Sequence, residues 1–426
     1  MQRMDHLMNL LREGVTAAHT IAYMKERFIN EGFEELETDQ QWELKAGGRY
    51  YVNLYETNGI AFRVGEQIQK GQSLKFRIAM AHSDYPCFQI KPKPDIASGN
   101  VMKMNVDIYG GMYQKSWMDR PLGIAGRLVV KGEEVFAPTT IRYRSDRPLC
   151  IIPSLAIHMD RELNAKGALD TAKELVPLES LTKGDSLLSY IAKDVGISQE
   201  DILDFDLYTF VMDEPVLVGL DQAMLSSPRL DNLTSVAALQ EGLLGCCQVP
   251  ENTVDMMVVF DNEEVGSRTK QGADSELLSW IVQKIGMQWN DWFCKCDRMN
   301  ENFLLSVDVA HANHPNYPEK SDVTNMVNLG QGICVKRSIG QKYGTTAKTG
   351  AVIRAICEQK KIPYTIAVNR TGIPGGSTLG PIVSAHLPYP CADIGMPILS
   401  MHSACELGAM ADYVALVNFM KAFYEI

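Results

Sequence analysis

Two adjacent glutamates, Glu263 and Glu264, follow directly on the apolar run 254–260, in the segment Asp261-Asn262-Glu263-Glu264-Val265-Gly266-Ser267. An apolar run of that length between polar ends reads as a buried strand. Like charges at the mouth of such a strand face a low dielectric, where their repulsion is poorly screened. A fold that contains this strand must therefore deliver positive charge to its end. A divalent cation meets the requirement, with one carboxylate as ligand and its neighbour handling protons. The chain carries further donors of the right kind at His82, Asp84, Asp231, Asp308 and His402.

A length of 426 residues exceeds one ordinary core and implies two domains, or one large α/β domain with an insertion. Basic and acidic residues number 41 and 52, a net charge of −11 without long runs of one sign. That balance argues against nucleic acid or an anionic membrane as partner. No apolar stretch approaches the ~20 residues of a membrane span, and residues 1–13 are polar and amphipathic, without a signal-peptide core. The ten cysteines are scattered, apart from Cys246-Cys247 and Cys294-Lys295-Cys296, with no repeated C-x-x-C spacing. Neither a thiolate zinc site nor a disulfide framework is indicated, and a cytoplasmic location is the simplest expectation.

The periodicity predicts strands within 50–64 and over 74–81, the latter delivering His82. From about 93 to 220 the character changes, with short strand-like pieces at 126–130 and 139–143 and a polar stretch over 160–204 that reads as helical. Beyond 221 helix and strand alternate: helix 233–244, strand 254–260, helix 275–284, strand 303–307, helix 346–359, strand 364–369 and a closing helix 412–424. Such alternation implies an α/β fold, a mixed sheet sandwiched by helices, whose sites gather at the carboxyl ends of strands. The predicted organisation is a catalytic domain from 1–92 and 221–426, with an inserted, mainly β domain from 93–220.

Singly, each candidate has a bland reading. His82 could be a buried histidine bonded to Asp84, Asp231 could cap the helix after it, Asp308 could make a turn, and His402 could be a packed histidine. Together, two histidines and three carboxylates plus one further glutamate match the ligand set of a zinc pair bridged by a shared carboxylate, a set that cobalt or manganese also accepts. Successive side chains diverge, so one glutamate of the pair can ligate while the other serves as general base. Asp84, two residues from His82, can accept the ring N–H of that histidine and fix its tautomer. The i, i+3 pair His311 and His314 imitates a helical metal pair, but Pro315 argues against a regular helix there. The segment Gly375-Gly376-Ser377-Thr378-Leu379-Gly380 is neither a phosphate loop nor a serine-hydrolase elbow.

Six blocks then stand in order: Ala81-His82-Ser83-Asp84-Tyr85-Pro86, Ser227-Pro228-Arg229-Leu230-Asp231-Asn232, the acidic-pair segment, Ser306-Val307-Asp308-Val309-Ala310-His311 with His314-Pro315-Asn316-Tyr317, Gly375 to Pro381, and Met401-His402-Ser403. They resemble the aspartyl aminopeptidase and vacuolar aminopeptidase I family of di-zinc metallopeptidases, over nearly the whole chain. The resemblance implies a zinc-exopeptidase-like fold with a dimerisation insert, and hydrolysis of the N-terminal residue of peptides. It implies two zinc ions, one held by His82 and Asp308, the other by Glu264 and His402, with Asp231 bridging and Glu263 as base. Substrate contacts would come from His158, Lys336, His311 and Gly376, with His158 reaching a neighbouring subunit's site in a tetrahedral homododecamer. Lys336 would favour acidic N-terminal residues. Two departures from the family pattern, Ser321 after Lys320 and Gly372 after Arg370-Thr371, touch subunit contacts and side-chain preference. A related exopeptidase of the same metal clan with neutral preference, or a non-enzymatic shell protein, are the alternatives.

Overall fold

A computed structural model describes every residue except Met1, Lys166, Thr182, Lys183, Cys247, Phe293, Lys295 and Asp297. Cys247 and Lys295, members of the two clustered cysteine runs, therefore lie outside the described residues. The chain divides into two units. The first comprises Met1–Asp84, Pro215–Met401 and Glu406–Ile426, the second Tyr85–Glu214 and His402–Cys405.

The first unit is built on a nine-stranded mixed sheet. Its centre is four parallel strands in the order Thr253–Phe260, Lys75–His82, Phe303–Val307 and Cys391–Gly395. Alternation along these strands explains the layers, because successive side chains enter opposite faces. Ala79, Ala81, Met257, Val259, Leu305 and Val307 pack into one core. Ile78, Met80, Met256, Val258, Phe260 and Leu304 pack into the other. Helices Ala17–Asn30, Leu230–Gly245, Ala347–Lys360 and Met410–Glu425 cover the first face, and Leu277–Gln288 with Leu379–His386 the second. Strands buried on both faces have no polar side to expose, which is why 254–260 reads as a mainly apolar run, broken at Asp255, whose buried carboxylate pairs with Arg77. Among the elements that escaped the periodicity are strands Ile333–Arg337 and Cys391–Gly395 and helix Leu379–His386. The first two carry Lys336 and Asp393, so each reads as a run interrupted by a charge.

The second unit is a seven-stranded sheet. Strand Ile202–Val211 pairs with both Cys87–Ser98 and Pro121–Glu134, which closes the sheet into a barrel-like ring and leaves those strands no open edge. Here the helical expectation for 160–204 is corrected. Among the described residues of that span, only Thr171–Glu174 and Leu187–Val195 form α-helix, and Ile202–Val211 begins as strand within it. The second helix has local punctuation: Ser186 caps its start and Gly196, at φ 75°, ends it. The rest of the span lacks apolar residues at helical spacing, so it has no face to bury.

Two contacts set the frame around the site and can be tested. A Cβ at Gly242 would lie 2.5 Å from the Met420 Cβ, where helix Leu230–Gly245 packs on Met410–Glu425. Alanine would gain helix propensity of ~1 kcal/mol, but the overlap outweighs it. Gly242→Ala is expected to destabilise the chain by about 1–3 kcal/mol, read as a lower urea midpoint. His386 closes a second contact, with Nε2 2.8 Å from Asp274 and Nδ1 3.0 Å from Glu276, tying the segment after the acidic pair to helix Leu379–His386. Bonding to Asp274 raises its pKa above the ordinary 6.5, Glu276 adding to the effect against partial burial. A histidine pKa raised on folding contributes stability that is full below 6.5 and lost as pH rises through the folded value. The thermal midpoint gap between wild type and His386→Gln is therefore expected to be larger near pH 6 than near pH 8.

Candidate metal centre

The sheet brings the predicted donors to one end. His82 terminates strand Lys75–His82, opposite Phe260 in the neighbouring strand. Two residues past Phe260 the chain turns through Asn262, at φ 60°, into the short 3-10 turn Glu263–Val265, which ends on Gly266 at φ 101°. Asp308 follows strand Phe303–Val307, its N–H donating to the Ile394 carbonyl at 3.0 Å. Asp231 lies at the start of helix Leu230–Gly245 but departs from helical geometry, as does Asn232. The Asn232 side chain donates to the Val307 carbonyl at 3.0 Å, which ties this helix start to the Asp308 strand.

His82, Asp231 and Glu264 each present one ligand atom, and the three atoms lie within 4.8 Å of one another. His82 Nε2 stands 3.5 Å from an Asp231 oxygen and 3.7 Å from an Asp308 oxygen. Both gaps are long for a hydrogen bond, and they fit donors that converge on an ion rather than on each other. The opposite ring nitrogen, Nδ1, lies 3.0 Å from the Asp84 carbonyl oxygen. A carbonyl only accepts, so Nδ1 carries a proton, and the neutral ring, the form that ligates a metal, offers its Nε2 lone pair on the side of the carboxylates. The Asp84 carboxylate is 3.5 Å from Nδ1, and it accepts the backbone N–H groups of Glu263 and Glu264, each at 3.1 Å. Asp84 thus sets the histidine tautomer through its backbone and fixes the acidic turn through its side chain.

The electrostatics of the cluster favour a cation. Burial opposes charge on the His82 ring, yet the surrounding carboxylates of Asp231, Asp308 and Asp84 outweigh it and raise the pKa well above 6.5. Glu263 is pushed up to about 7, first by burial, with Asp308, Asp84 and Asp231 adding to the rise and His82 opposing it. One nitrogen and several carboxylate oxygens form a donor set suited to zinc. His82, Asp231, Glu264 and Asp308 are the residues that fit such an ion.

Other predicted positions fall elsewhere. Lys336 is 3% exposed on strand Ile333–Arg337, its Nζ 3.4 Å from an Asp308 oxygen and 5.4 Å from the Tyr343 ring centre. His311 is exposed in the two-residue strand Ala310–His311, and His314 lies outside any helix, so the two do not form a helical pair. Gly376 is exposed, with open space where a Cβ would stand. His158 lies on an exposed turn of the second unit. His402 also belongs to that unit, and its Nδ1 donates to the Gly111 carbonyl at 2.9 Å, which places the ring's lone pair on Nε2. Two supporting residues escaped the sequence reading. Glu406 accepts the Asp231 backbone N–H at 2.9 Å while itself only 3% exposed. Asp393 is fully buried in strand Cys391–Gly395. A carboxylate inside an apolar run was the available signal for Asp393.

A histidine and clustered carboxylates at the carboxyl ends of the sheet's central parallel strands form a candidate metal centre. The comparisons make this specific. Residues 10–424 match the family described as aminopeptidase I zinc metalloprotease (M18). The chain is 37% identical to a probable M18 family aminopeptidase 2 of Clostridium novyi (strain NT), over 99% of its own length and 98% of that protein's. A solved structure of the Ape4 and Nbr1 complex aligns at TM-score 0.94 and 30% identity, over 99% of this chain and 85% of that one. The mApe1 dodecamer of S. cerevisiae shares the fold at TM-score 0.84 and 22% identity, over 99% and 96%. The chain belongs to the M18 family of zinc aminopeptidases.

Asp84 gives the test of this geometry. Asp84→Asn keeps the backbone carbonyl for His82 but turns one amide acceptor into a donor facing an N–H. The affinity for zinc is expected to fall about 10-fold, measured by competition with a chromophoric chelator.

Proposed function

We propose that this aminopeptidase works with two zinc ions per chain and Glu263 as general base, removing the N-terminal residue of peptides. The convergence of His82, Asp231 and Glu264 within 4.8 Å, with Asp308 beside His82 and Glu263 beside Glu264, carries the reading. His82 and Asp308 are assigned to one ion, Glu264 to the other and Asp231 to both. His402 is carried forward as the second histidine from the family resemblance. When bound, zinc supplies Lewis acidity, which makes water nucleophilic near neutral pH and polarises a carbonyl. Cobalt or manganese could stand in, since both accept these ligands.

Glu263 would take the proton from the attacking water and return it to the departing amine, a role suited to a carboxylate whose burial raises its proton affinity. Asp84 would hold that base in place by fixing its backbone N–H. Lys336 is the buried cation beside Asp308, and we assign it the preference for acidic N-terminal side chains. His158, His311 and Gly376 keep the substrate-contact roles that the resemblance implies. The insert over 93–220 is assigned to dimerisation and self-association to a tetrahedral homododecamer, supported by the mApe1 dodecamer. Buried reduced thiols at Cys150, Cys334, Cys357 and Cys391 support a cytoplasmic setting. Among the described residues no helix is long and apolar enough to cross a membrane.

Glu263→Gln is expected to retain both zinc ions by elemental analysis while kcat falls about 10²–10⁴-fold; turnover at the wild-type rate would remove Glu263 as base. Wild type is expected to cleave aspartyl and glutamyl anilides faster than leucyl anilide and to leave N-acetylated peptides intact. Cleavage of the blocked peptides would point instead to an exopeptidase that clamps the other terminus.

A further inference from the structure

The strongest feature outside the proposed ligand set is a row of polar residues crossing the sheet. Ser306, Asp393 and Lys336 are direct partners on three adjacent strands, Ser306 opposite Asp393 and Asp393 opposite Lys336. Direct partners share a face of the sheet. Alternation puts this row on the face away from Val307, Ile394 and Val335, all of which pack in the first core. Asp393 and Lys336 are 0% and 3% exposed. A charge buried among apolar strands costs stability unless its partners are arranged around it.

Here the partners are numerous and they come from two loops. Asp393 accepts the Gly344 N–H and the Thr378 hydroxyl, each at 2.5 Å, and its own N–H donates to the Thr345 hydroxyl at 2.8 Å. A Cβ at Gly380 would stand 2.5 Å from its carboxylate, so only glycine lets that helix start approach. Lys336, across the strand pair, reaches the Asp308 oxygen at 3.4 Å. A different Asp308 oxygen lies toward His82 Nε2. The ammonium thus holds one oxygen of Asp308 and leaves the other turned to the donor cluster.

We propose that Asp393 is a positioning residue: acting through Lys336, it orients Asp308 for its metal, and by the same carboxylate it fixes the loops at Gly344 and Thr378–Gly380. Asp393 touches neither metal nor substrate. The proposal depends on the zinc reading given above, and the experiment separates the two. Full-length protein stripped by a chelator is titrated with zinc against a chromophoric competitor. If the wild-type chain takes up no zinc, the proposed function fails, whatever Asp393 does. Given wild-type binding, Asp393→Asn is expected to weaken zinc about 10-fold and to speed hydrogen exchange at the Gly344 amide.

Lys336→Met separates positioning from charge alone. Removing a positive charge beside a cation site should tighten zinc if Lys336 acts only through space, whereas loss of orientation weakens it. The double variant completes a cycle. If Asp393 acts through Lys336, adding Asp393→Asn to Lys336→Met causes no further loss of affinity. Unchanged affinity in Asp393→Asn, tighter zinc in Lys336→Met, or additive losses in the double variant would each overturn the proposal. Should Lys336→Met fail to fold, the affinity and Gly344 exchange of Asp393→Asn decide alone.

Discussion

The molecule depends on one electrostatic demand, that carboxylates gathered at the carboxyl ends of a buried sheet be matched by positive charge. Glu263, Glu264, Asp84, Asp231 and Asp308 arrive there from four different segments, and each arrives because the strand or turn before it is fixed by apolar packing. The hydrophobic core therefore performs the assembly, and the charges are carried to the site against their own preference. The raised proton affinities of His82 and Glu263 are the signature of that unsatisfied field.

Backbone groups do much of the work of taming it. The Asp84 carboxylate spends both oxygens on the N–H groups of Glu263 and Glu264, and its carbonyl spends its acceptor on His82. Glu406 does the same for Asp231. These bonds do not cancel the charges; they fix which oxygen points where. A metal ligand set needs exactness of direction as well as composition, since an ion tests every donor angle at once. Asp393, opposite Lys336 in register on the next strand, extends this logic one layer deeper in our proposal.

How much of this could be read from the residues depends on what makes each feature. The strand over 254–260 and the glutamates after it were legible because six of its seven residues are apolar, so Asp255 does not hide the run, and a like-charge pair at its end has few meanings. His82, Asp231 and Asp308 were legible as a set through their motif blocks, although each alone has a bland explanation as a packed histidine, a cap or a turn. The strands Ile333–Arg337 and Cys391–Gly395 were not, because Lys336 and Asp393 break the apolar pattern that would have marked them. Their meaning is tertiary: the two charges make sense only once the strands lie side by side. In the second unit the span 160–204 looked helical because polar segments carry weak periodicity of any kind, and the ring of strands was decided by long-range pairing of Ile202–Val211 with Pro121–Glu134.

The same demand links metal to stability. Without a bound cation, the cluster's charge is offset by protons, by Lys336 and by the backbone N–H groups, and each proton that leaves as pH rises exposes more repulsion at the strand ends. An ion that binds the folded chain and not the unfolded one stabilises it by mass action, about 4 kcal/mol at a thousandfold excess over its dissociation constant. That is a large share of the 5–15 kcal/mol on which a typical fold stands. The acidic cluster is then a place where apolar packing holds like charges together, in a site that a cation completes. Function and marginal stability are in this sense one property of the sheet's carboxyl end, and residues such as Asp393, which touch no ligand, belong to both.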